Sequence, residues 1–155
     1  MLRQGIILSI SILSSSAFAQ DVSVEKGARI AIIGGCHDCH TPGYGESGGV
    51  VDPATALIGS PVGYQGPWGT TYAANLRLIA QSQSEDQFVT YLSTFEAKPP
   101  MPWFNVHHFD GSEMRSFYQY VASLGEPGAP APTYVPPGGK VTTPYMVFVP
   151  TMPTP

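Results

Sequence analysis

The chain has 155 residues, and its 17 Gly and 16 Pro together make up about a fifth of it, well above an average composition. Only 12% of residues are charged, against roughly 25% in typical domains, while 43% are hydrophobic, which excludes a disordered polyelectrolyte and an ordinary highly charged cytosolic surface. A formal net charge of −4 argues against nucleic acid as a partner, because a basic face supplies most of that affinity.

The first nineteen residues carry the pattern of an export signal. Arg3 gives a short positive region, Gly5 to Leu13 an apolar stretch, and Ala17-Phe18-Ala19 a small-residue cleavage site before Gln20. The apolar stretch is far shorter than the ~20 residues of a spanning helix, and no later segment is apolar enough to span a bilayer. The expected organisation is a signal peptide over 1–19, one domain over 20–125 and a Pro-rich extension over 126–155, located in the periplasm without a transmembrane segment after cleavage.

Within the body, Ser23 can cap a helix over Val24 to Ile33, with Glu25 in its first turn and Gly34-Gly35 at its end. The glycines and prolines between Thr41 and Gly69 predict a wrapped loop. Ser84 and Gln87 form a capping-box pattern ahead of Phe88, Tyr91, Leu92 and Phe95, which predicts a helix over Glu85 to Glu96 that Pro99 and Pro100 stop. Asp110 and Glu113 repeat that logic before Met114, Phe117, Tyr118, Val121 and Leu124, with Gly125 just past the end. Beyond Glu126 the prolines preclude helix and favour extended chain.

Cys36-His37-Asp38-Cys39-His40 is a C-x-x-C-H motif, the pattern of covalent haem attachment. Two intervening residues let a tight turn place both sulfurs along one edge of a macrocycle, and the adjacent His40 then reaches the iron. A redox dithiol would be expected in a βαβ context, and a zinc site would be expected to use a second cysteine pair; the sequence has neither. A disulfide between Cys36 and Cys39 would close a loop too small to restrict the unfolded chain much. One covalently attached haem c is therefore the expected cofactor, with Cys36 and Cys39 as tethers, His40 as iron ligand and His37 facing solvent.

The sequence resembles the class I c-type cytochromes, among them small bacterial monohaem cytochromes and the haem subunits associated with periplasmic dehydrogenases. The resemblance rests on Gly27 in the first helix and on Gly34-Gly35-Cys36-His37-Asp38-Cys39-His40-Thr41-Pro42. It also rests on the segment Gly66 to Leu76, on Met101-Pro102-Trp103 and on the helix ending Tyr118 to Leu124. It implies an all-α cytochrome c fold of three to four helices around one haem, followed here by a Pro-rich extended tail. It also implies that Gly27 lets the first and last helices cross against Phe117 or Tyr118. Arg77 to Ser84 departs from the family pattern, being shorter and less acidic.

Met101, flanked by Pro100 and Pro102 in a stretch that also holds Pro99, is the expected second iron ligand. Met114 falls on an apolar helix face and reads as core, His107 and His108 as loop residues, and Met146 and Met152 as tail residues. Trp68, Tyr72 and Asn75 are polar-tipped groups that can hydrogen-bond a haem propionate or the Met101 sulfur. A His–Met pair raises the potential and leaves iron without an open position. The expected function is thus a monohaem electron carrier, not an enzyme, working between a periplasmic dehydrogenase and a downstream oxidase or cytochrome. The alternatives are a peroxidase-like enzyme and a non-exchanging haem subunit of a larger redox complex. The apolar run Tyr145 to Val149 is costly to leave in water, so it should pack on the domain or on a partner.

Overall fold

Residues 21–153 are described in a computed structural model, and the export signal read in 1–19 lies outside them. In chain order they form α1 (Val24–Ile33), α2 (Cys36–His40), β1 (Gly63–Gly66), β2 (Gly69–Tyr72), α3 (Leu76–Gln81), α4 (Glu85–Thr94), α5 (Trp103–Val106), α6 (Gly111–Ser123) and β3 (Tyr145–Val147).

The three longest helices start where their caps place them. The Ser23 side chain accepts from the Lys26 amide at the head of α1. Reciprocal capping boxes open α4, through Ser84 and Gln87, and α6, through Asp110 and Glu113. The Ser112 hydroxyl, followed by the Glu113 amide, donates to the Asp110 carboxyl and holds it below the usual carboxylate range. Helices α1 and α6 cross closely because Gly27 has no side chain: a Cβ there would overlap the Ser116 carbonyl and stand 2.7 Å from the Tyr120 Cβ. The crossing partners are thus Ser116 and Tyr120, not the expected Phe117 or Tyr118. Phe117 turns to Phe88 of α4, with ring centroids 6.1 Å apart. Ile30, Ala31, Phe88, Leu92, Met114, Phe117 and Val121 form the buried centre between these helices.

The expectation of an all-α fold is overturned. β1 and β2 pair antiparallel, from Gly63 with Tyr72 to Gly66 with Gly69, and β3 joins β1 in parallel to give the order β2-β1-β3. The first strand and turn of the β1–β2 hairpin lie in the segment, Thr41 to Gly69, whose glycines and prolines read as loop. Its strands are short but contain Tyr64, Thr70, Thr71 and Tyr72, aromatic and β-branched residues that suit a pleated sheet. Gly69 lies at φ +99°, and a Cβ on it would press into the Tyr134 ring, so only glycine lets the C-terminal extension come this close. The third strand comes from that extension, where Tyr145, Met146 and Val147 pair with β1 and the Phe148 amide donates to the Gln65 carbonyl at 2.7 Å. Phe148 packs on Tyr64 at 5.7 Å between ring centroids, yet Tyr145 to Val149 all remain exposed.

Candidate cofactor site

Helix α1 ends beside the cysteine motif, and the single turn of α2 arranges it. Residues three apart on a helix share a face, and Cys36 and Cys39 both line one cavity of roughly 390 Å³, with His40 beside them. Both thiols are free. Burial, reinforced by the Asp38 charge, pushes the Cys36 thiol up to about 12, so it is held neutral. The His40 Nδ1 lies 2.7 Å from the Ala74 carbonyl oxygen. Since a carbonyl only accepts, Nδ1 carries the proton and donates, which leaves Nε2 with its lone pair. Burial also lowers the His40 pKa, favouring the neutral ring that binds metals.

Phe88, Tyr91, Leu92, Phe95, Phe109 and Phe117 make much of the wall apolar. Met101 lines the same cavity. Its strap is fastened to the hairpin by the Thr71 hydroxyl, which donates to the Pro99 carbonyl at 2.8 Å. Tyr64 lies in the wall next to the cysteines, and burial followed by the neighbouring Cys39 raises its phenol pKa.

Of the other residues singled out, some line the cavity and some do not. Tyr72 lines the cavity, but its hydroxyl is 2.7 Å from Thr143 Oγ1. Trp68 donates from Nε1 to the Tyr64 carbonyl at 3.3 Å and is not part of the wall. Asn75 also stands outside it. Its Oδ1 caps α3 by accepting from the Arg77 and Leu78 amides, and its Nδ2 donates to the Pro127 and Ala129 carbonyls at 2.6 and 3.0 Å. His37, expected in solvent, is fully buried: Nδ1 lies 2.7 Å from Thr41 Oγ1, and the ring packs at a tilt against Tyr44, 5.2 Å between centroids. Its buried pocket is completed by Tyr120 of α6, 83 residues away, opposite the nearby Tyr44, and no local pattern shows that closure. His107 places Nε2 2.9 Å from the Phe95 carbonyl, and Met114 is core, accepting from Ser93 Oγ at 3.3 Å. Met146 and Met152 are exposed.

Sequence reasoning missed Thr71 as a fastener of the strap, and Pro132 and Tyr134 as wall residues from the extension. An aromatic residue amid prolines was the one available signal for Tyr134. Among the described residues, no helix is long and apolar enough to cross a membrane. No protein-family model, curated protein or solved structure matches the chain.

Proposed function

We propose that the chain is an exported, monohaem c-type electron carrier that exchanges single electrons between a periplasmic dehydrogenase and a downstream oxidase or cytochrome. The observation that carries this reading is one mostly apolar cavity whose wall holds Cys36, Cys39, a His40 with its Nε2 unprotonated, and Met101. The cavity volume falls within the range of small-molecule and cofactor sites. These residues fit a haem tethered through two thioethers: two free thiols three residues apart, an imidazole locked in the ligating tautomer and a thioether on a stiff strap.

When bound, haem would supply a one-electron Fe(III)/Fe(II) couple. The chain's part is to fix and shield. Cys36 and Cys39 would hold the cofactor through turnover, and the Ala74 carbonyl orients the His40 ring. The apolar wall excludes water, and Met101 would supply the sulfur that raises the potential and fills the last coordination position. The peroxidase-like alternative calls for a distal acid–base pair, and His107, a residue suited to that role, is turned to the Phe95 carbonyl.

The mass of protein purified from the periplasm tests this reading. The expected species starts at Gln20 and carries one haem that acid extraction does not remove. Met101→Ala should then lose the weak long-wavelength absorption band of sulfur-ligated ferric haem and bind added imidazole. Wild-type protein with both thiols unmodified would overturn the proposal.

A further inference from the structure

The C-terminal extension reaches the same cavity, with Pro132 and Tyr134 in its wall. Val135 exchanges two backbone hydrogen bonds with Thr70 of β2, at 2.8 and 2.9 Å, which fixes the extension beside Thr71. From there the Tyr134 hydroxyl donates to the Trp68 carbonyl at 2.7 Å, and its ring lies 5.0 Å from the Lys98 ammonium. Lys98 begins the strap that runs through Pro99 and Pro100 to Met101, and Thr71 holds the next residue through the Pro99 carbonyl. A strap with prolines on both sides of Met101 bends little, so the sulfur's position is set largely by where its ends are held. Two adjacent residues at one end are held from two adjacent points, one on the hairpin and one on the extension.

We propose that Tyr134 is a positioning residue for Met101: from the extension it clamps Lys98 and, together with Thr71 on Pro99, presses the strap against the hairpin and closes that side of the cavity. The inference rests on the tethered-haem reading, which places Met101 on iron. It gives the extension a task in the site, where composition alone predicted extended chain.

The test uses the full haem-carrying protein in the ferric state with imidazole as probe, since imidazole binds when the strap swings away. Tyr134→Ala, which removes the ring and the hydroxyl, should raise the imidazole binding rate about tenfold and weaken the long-wavelength band. Tyr134→Phe keeps the ring beside Lys98 and should raise the rate only about threefold. Gly27→Ala, a destabilising change remote from the strap, should leave the rate within about twofold of wild type; a rise equal to that of Tyr134→Ala would mean general loosening and would overturn the proposal. An unchanged rate in Tyr134→Ala, with the tether present by mass, overturns this inference alone, whereas wild-type protein without the tether overturns the function proposed above and this inference with it. Should Tyr134→Ala fail to fold, Lys98→Met replaces an exposed partner and should still raise the rate about threefold, and no change there is equally decisive.

Discussion

Arg77 carries a charge into a nearly closed environment, at 4% exposure, and its four side-chain hydrogen bonds all go to main-chain carbonyls. Nε donates to Ala56 at 2.7 Å, Nη1 to Leu124 and Glu126 at 2.8 and 3.1 Å, and Nη2 to Pro53. Burial lowers its pKa, but a guanidinium stays protonated, so the fork acts as a fixed multiple donor. It joins the wrapped loop, through Pro53 and Ala56, to the chain leaving α6. Hydrogen bonds to a charged group contribute about 1.5–3 kcal/mol each, and carbonyls near the surface recover part of that from water. Arg77→Met should therefore lower the unfolding free energy by about 3 kcal/mol in urea titrations. Arg77→Lys should recover little, because an ammonium cannot span carbonyls arranged for a planar fork. A loss below about 1 kcal/mol in the Met variant would mean that water replaces the fork.

At the scale of elements, α1, α4 and α6 were legible because their signals are local: a capping side chain, a carboxylate or amide three residues on, and apolar residues at helical spacing. The short helices α2, α3 and α5 were not, since four to six residues carry too little periodicity to register. Sheet residues were misread for a different reason. Gly63, Gly66 and Gly69 bracket the hairpin and look like breakers, while β3 lies some eighty residues from its partner β1. The site divides in the same way. Cys36, Cys39, His40 and Met101 stand in short self-contained patterns, whereas the buried place of His37 and the turn of Asn75 away from the cavity depend on segments that meet only in the fold. Gly27 was legible as a crossing residue, though not its partners, and the crossing itself can be tested. A methyl group at residue 27 must push α6 away at the Ser116 carbonyl, which is backbone and cannot rotate aside. Overpacking of this kind costs about 1–3 kcal/mol, so Gly27→Ala should shift the denaturation midpoint to lower urea with the slope unchanged. An unshifted midpoint would show that the helices separate freely.

Over the whole molecule the extension divides into two parts with different attachments. Residues 127–135 are bound at several points: Pro127 and Ala129 accept from Asn75, Tyr134 donates to Trp68, and Val135 is doubly bonded to Thr70. Residues 141–153 add β3, the Thr143 contact to Tyr72 and the Phe148 contact to Tyr64, but leave Tyr145 to Val149 at 42–58% exposure. Half-exposed apolar side chains contribute only a fraction of the ~1.5–3 kcal/mol of full burial, so the outer part stabilises the domain modestly. The inner part holds the buried Asn75 and covers one wall of the cavity, so its loss removes polar partners as well as packing. Deleting 141–155 should accordingly lower Tm by about 5 °C, while deleting 127–155 should lower it by roughly 15 °C. Thermal unfolding followed by circular dichroism on the two truncated chains distinguishes the parts. Equal shifts would mean that β3 anchors the extension, in which case the exposed face of Tyr145 to Val149 stabilises the fold more than its burial indicates.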